Sequence, residues 1–120
     1  MKKLLIILLI CLMPTISFAK DVWTKKDSAY QGTLLTLMAV DWLQTKEIAR
    51  NPKYYETNPI LGKYPNQNEV DFYFFSTAIL HTGIAYYIPK EYRRWWQYVF
   101  IGIQTTCVLN NISIGVSIKF

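Results

Sequence analysis

This sequence is short of the residues that most enzyme chemistry needs. Its 120 residues include one histidine, two cysteines and five glycines. It contains no Gly-x-Ser-x-Gly elbow, no glycine-rich phosphate loop, and no His-x-x-x-His or Cys-x-x-Cys pair. These absences remove the usual signals for a serine hydrolase, a nucleotide cradle and a structural zinc site. Charge is also scarce, at 18% of residues, and two stretches lack Asp, Glu, Lys and Arg altogether: the 18 residues 72–89 and the 24 residues 95–118. The net charge of +5 falls to +3 once Lys2 and Lys3 are set aside, too mild to point to nucleic acid. A chain of this length has room for one compact domain and excludes a multidomain enzyme.

What is present begins with a secretory pattern. Met1-Lys2-Lys3 is a positive start, Leu4 to Met13 an apolar core, and Ser17-Phe18-Ala19 a small-x-small cleavage site. Residues 1–19 are therefore expected to be a signal peptide, and residues 20–120 a single exported domain. Cys11 falls inside the signal, behind the bulky Ile10, and does not make a lipoprotein site. Cys107 then stands alone, which excludes an internal disulfide and suits a small apolar side chain.

The two charge-free runs approach or exceed the roughly 20 residues of a spanning helix. Their ends carry Phe72-Tyr73, Tyr86-Tyr87, Tyr92 and Trp95-Trp96, as aromatic belts do at a membrane interface. Arg93-Arg94-Trp95-Trp96 is read as an interfacial anchor on the same ground. The first segment is shorter, because Ser28 to Val40 stops at Asp41. Either that helix is interfacial or Asp41 is an intramembrane carboxylate facing other helices. Lysine and arginine divide too evenly between the loops to assign an orientation.

Local signals place three helices. Thr24-Lys25-Lys26-Asp27 has capping-box spacing and opens a helix over about 25–49, which Asn51-Pro52 closes. Residues 50–67 hold Pro52, Pro59 and Pro65 and form a structured loop. Asn66 to Glu69 caps a second helix over about 68–87, and Pro89 leads into a third over about 90–110. The short turn between the last two predicts antiparallel packing. Ile112, Ile114, Val116, Ile118 and Phe120 then alternate with Ser113, Gly115, Ser117 and Lys119, giving a short extended tail or a helix end that alternates by accident. The expected fold is all-α: a three-helix antiparallel membrane bundle behind a signal segment. Gly83, Ala85, Gly102 and a stripe of Gln97, Gln104 and Asn111 would orient its helices.

The strongest constellation is Asp41-x-x-x-Thr45 followed by Glu56-Thr57-Asn58-Pro59-Ile60-Leu61-Gly62. Asp41 and Thr45 share a helix face, and the loop returns Glu56 and Asn58 toward the same helix. Asn58 before a proline is held extended, and Gly62 can take a positive φ. Over about Val40 to Gly62 this pattern resembles a family of small, multi-helical membrane proteins from bacteria and their phages, with an Asp-x-x-x-Thr helix and a Glu-x-Asn-Pro-Ile-Leu-Gly loop. The resemblance implies a helical membrane architecture and supplies no reaction.

Asp41, Thr45, Glu56, Asn58, His81 and Gln104 thus form the expected polar centre. Two readings of His81 follow: it hydrogen-bonds between helices, or it joins Asp41 and Glu56 as a metal site. The preferred function is a non-enzymatic envelope protein of the bacterial inner membrane, without cofactor. It would contact lipid and, through its helices, a membrane partner or a second copy, and would bind no nucleic acid. The alternatives are a membrane-embedded metal-dependent hydrolase using Asp41, Glu56 and His81, and a soluble periplasmic helical domain.

Overall fold

A computed structural model describes residues 21–119. The expected signal peptide at 1–19 lies outside them. The described residues form three helices and no strand: α1 (Lys25–Arg50), α2 (Gln67–Tyr87) and α3 (Lys90–Ser113). The caps explain two of the starts. Thr24 accepts from the Asp27 backbone N–H while the Asp27 carboxylate accepts from the Thr24 N–H, and Asn66 and Glu69 repeat the arrangement on α2. Pro89 is the N-cap of α3, with no side-chain cap, and its fixed φ directs the chain into the helix.

α3 runs past the expected Asn110: the helix continues to Ser113 and closes with Gly115 at φ 88°, so the alternation begins within a helix terminus, and residues 116–119 follow it without regular structure. Gly115 N–H reaches Ile112 O at 3.0 Å and Val116 N–H reaches Asn111 O at 3.0 Å. This is the Schellman pairing, which favours glycine at the left-handed position, and Val116 packs inward behind it.

α1 is the central helix. It lies along α3 and α2, whereas α2 and α3 touch little beyond the region of His81, Trp96 and Phe100. The short turn therefore joins two helices that each pack mainly on α1. The buried face of α1 runs Asp27, Gln31, Leu34, Met38, Asp41, Thr45 and Ile48, a strict alternation of four and three residues. It meets α3 in parallel: Asp27 pairs with Arg93, Gln31 with Gln97, and Asp41 with Asn111. Against α2 it runs antiparallel, with Gln31 beside His81 and Trp42 beside Asp71.

The interior is unusually polar. Among the described residues ten polar or charged side chains are buried against eight apolar ones, while Phe72, Phe75, Ile79, Leu80, Trp95 and Leu109 face outward. This inverts the usual distribution of a water-soluble domain. Among the described residues no helix is long and apolar enough to cross a membrane, which leaves the all-α, three-helix part of the expectation standing. The glycines expected to bring helices together do not do so: a Cβ on Gly83 or Gly102 would meet no atom within 4 Å. Ala85 is buried, under the Arg93 side chain.

Candidate functional site

The loop between α1 and α2 is ordered by its own polar groups. Glu56 Oε1 accepts from the N–H groups of Thr57 (3.0 Å) and Asn58 (2.9 Å), and Asn58 Oδ1 accepts from the Ile60 N–H at 2.9 Å. Gly62 turns the chain with φ 79°, its N–H donating to Asn58 O at 3.1 Å, and the Glu56 N–H closes the loop onto Lys63 O at 2.9 Å. Tyr54 Oη donates to Gly115 O at 3.1 Å and ties the loop to the end of α3. These bonds shape the loop, and Glu56 and Asn58 share a cavity with Asp41 and Thr45 of α1.

Beneath the loop lies a cavity of about 500 Å³ whose walls include Asp41, Thr45, Glu56, Asn58, Tyr73, Gln104, Cys107 and Asn111. Asp41 is fixed from two sides, since its Oδ1 accepts from Thr45 Oγ1 at 3.3 Å and from Asn111 Nδ2 at 3.0 Å. Asn111 Nδ2 also donates to Gln44 Oε1 at 3.0 Å, and Gln44 Nε2 donates in turn to Val108 O at 3.5 Å. Neither Asp41 nor Glu56 forms an ion pair among the described residues. The cavity therefore offers two carboxylates without a partner cation, framed by amide and hydroxyl groups.

Five of the six expected residues line this cavity. His81 does not. It lines a smaller one of about 130 Å³, walled by Met38, Tyr73, Leu80, Ile84, Trp96, Phe100 and Gln104. Tyr73 and Gln104 border both. The three-ligand set of Asp41, Glu56 and His81 is thus not assembled, and no group of three or more His, Cys, Asp and Glu among the described residues could hold a metal ion. The helical register accounts for this. His81 lies level with Gln31, ten residues and roughly 15 Å along α1 from Asp41 at 1.5 Å per residue. His81 instead bonds between helices: Gln31 Nε2 is 3.4 Å and Trp96 Nε1 3.2 Å from its Nδ1.

At the opposite end the structure builds a second polar centre. Arg93, expected as an interfacial anchor, is fully buried. Its Nη1 pairs with Asp27 Oδ2 at 2.9 Å, its Nε donates to Ala85 O at 2.6 Å, and its Nη2 reaches Tyr86 O at 3.3 Å and Ile88 O at 3.5 Å. It thereby satisfies the last carbonyls of α2, which no intrahelical amide can reach. Arg94 Nη2 approaches Asp27 Oδ1 at 3.1 Å, and the Arg93 guanidinium lies 5.0 Å from the Trp23 ring centroid. Burial pushes the Asp27 carboxyl up, but the Thr24 and Arg93 hydrogen bonds outweigh it and hold the group below its ordinary value of 3.8. Carrying the Gln97, Gln104, Asn111 stripe one turn toward the start of α3 reaches Arg93, a signal that would have placed it inside.

No protein-family model, curated protein or solved structure matches this chain.

Proposed function

We propose that the bundle sits in a lipid bilayer, the bacterial inner membrane of the cell envelope, and acts there without catalysis through contacts of its helices with a membrane partner or a second copy. The observation that carries this is the inverted distribution of polarity, with polar groups paired inside and large apolar side chains outside. A polar interior is expected where the surroundings offer no water to the same groups.

The outer surface supports the reading. The charge-free span Phe72 to Tyr87 rises about 24 Å at 1.5 Å per residue, somewhat less than a hydrocarbon core of about 30 Å. Thinning of the bilayer and aromatic residues near the ends, Trp95 and Tyr87 at one and Trp42 at the other, accommodate such a difference. Mean hydropathy of each helix is low because each carries two faces: α2 turns Tyr73, Thr77 and His81 toward one side and Phe72, Phe75 and Ile79 toward the other. An apolar groove of about 740 Å³ between α1 and α2, walled by Leu35, Ala78, Ile79 and Gly83, gives a partner helix or acyl chains a seat.

Alkaline carbonate extraction of membranes tests the reading directly. The protein is expected to stay with the lipid. Ile79→Lys, at a position 73% exposed, would be innocuous in water but is expected to cost about 2.5–3.5 kcal/mol of insertion in a bilayer. Release by carbonate together with normal behaviour of Ile79→Lys would refute it.

A further inference from the structure

His81 and Gln104 both line the small cavity between the helices, and each has a buried polar atom that lacks a partner, His81 Nε2 and Gln104 Oε1. They are complementary. His81 Nδ1 faces two donors, Trp96 Nε1 at 3.2 Å and Gln31 Nε2 at 3.4 Å, so it accepts, and the neutral ring carries its proton on Nε2. That tautomer follows from the hydrogen bonds. Stacking on Trp96, with centroids 4.7 Å apart, and an edge contact with Phe100 at 4.5 Å hold the ring in place. Thr77 also lines the cavity but donates to Tyr73 O at 2.8 Å, so the polar groups left without partners are one N–H donor on His81, a residue 95% buried, and one carbonyl acceptor on Gln104. The acceptor has no polar partner because the α1–α3 register sets Gln104 level with Met38.

We infer that this cavity is a binding site for a hydroxyl group, which accepts from His81 Nε2–H and donates to Gln104 Oε1. A carboxylate could only accept and an ammonium could only donate, while a metal cation would meet the N–H proton. An O–H does both. Water and small alcohols share this chemistry. The volume of about 130 Å³ exceeds the roughly 30 Å³ share of a single water, and Met38, Leu80, Ile84 and Phe100 provide walls for a short alkyl group. Tyr73 and Gln104 also line the cavity beneath the Glu56 loop, so the two sites adjoin. Leu80, 63% exposed, forms the outer edge of the site.

Because the chain has a single histidine, imidazole ¹⁵N NMR of the full-length protein in detergent micelles reads this site without assignment ambiguity. The probes are 2-propanol and acetone, which share a skeleton but differ in the ability to donate. The expected result is an Nε2–H tautomer whose resonance shifts saturably with 2-propanol, with acetone binding about tenfold more weakly for want of one hydrogen bond. Gln104→Leu should abolish that preference, and Gln104→Glu, which keeps an acceptor, should retain it. If neither probe shifts the resonance but the Nε2 proton shows cross-relaxation with water, the occupant is water and the hydroxyl site stands. A proton on Nδ1, equal binding of the two probes, or an Nε2 proton in contact with neither water nor alcohol overturns the proposal. The tautomer is read on the unmodified protein, so it holds even if a Gln104 variant fails to fold.

Discussion

Arg93→Met removes a cation that joins all three helices. Taking one partner from a buried ion pair generally costs about 3–5 kcal/mol. Two features place this case near the lower bound. Thr24 still donates to Asp27 Oδ2 through its N–H and its hydroxyl, both at 2.9 Å, and Arg94 remains 3.1 Å from Oδ1, so the carboxylate keeps partners. The carbonyls of Ala85, Tyr86 and Ile88 at the end of α2 do lose their donor. The expected loss is about 3 kcal/mol, or about 12–24 °C in melting temperature for a domain of this size. Asp27→Asn should cost less, about 2 kcal/mol, because the guanidinium keeps its carbonyl acceptors. The double variant should lose less than the sum of the two, by about 1 kcal/mol or more. Thermal unfolding followed by far-UV circular dichroism at fixed detergent and protein concentration measures all four. An Arg93→Met variant as stable as the parent, or an Asp27→Asn variant less stable than Arg93→Met, would refute the reasoning.

Asn111→Leu deprives Asp41 and Gln44 of a shared donor and is expected to lose about 2–4 kcal/mol in the same assay, since each stranded acceptor costs about 1–3 kcal/mol. Gly115→Ala forces a side chain onto φ 88° and should lower stability by about 1–2 kcal/mol, with faster amide hydrogen exchange at the end of α3. The Asp27 carboxyl lies below 3.8 in the folded chain, so its stabilisation is complete above about pH 4 and fades as pH falls through the lower folded value. Acid titration should therefore destabilise the parent more steeply below pH 4 than Asp27→Asn, and identical profiles would contradict the pairing.

Features governed by neighbours in sequence were legible from the start. Thr24 with Asp27 and Asn66 with Glu69 are capping boxes because three residues suffice to define them. Glu56, Asn58 and Gly62 order their loop through hydrogen bonds between near neighbours, which a short motif can encode. Longer-range pairings were less legible. Arg93 stands in a run of arginines and tryptophans that suits an interface, and only the stripe through Gln97 reveals that it turns inward. His81 and Asp41 share an interior but not a level, which depends on the α1–α2 register and has no local signature. The alternation after Asn111 has the period of a strand, yet its first residues belong to α3, which a left-handed Gly115 closes.

The seam between α1 and α3 works as a key as well as a joint. Its apolar positions, Leu34 and Met38 on one side and Val108 on the other, are similar enough to tolerate sliding. Its polar positions are not. A slip of one heptad would set Arg93 level with Leu34 and Gln97 level with Met38, and would take the α3 donors Arg93 and Asn111 away from Asp27 and Asp41. Each misalignment strands a buried charge or amide, so every register but one carries a penalty that apolar packing cannot offset. The polar pairs of this seam are therefore the ones that make a single alignment of these helices stand out from its neighbours.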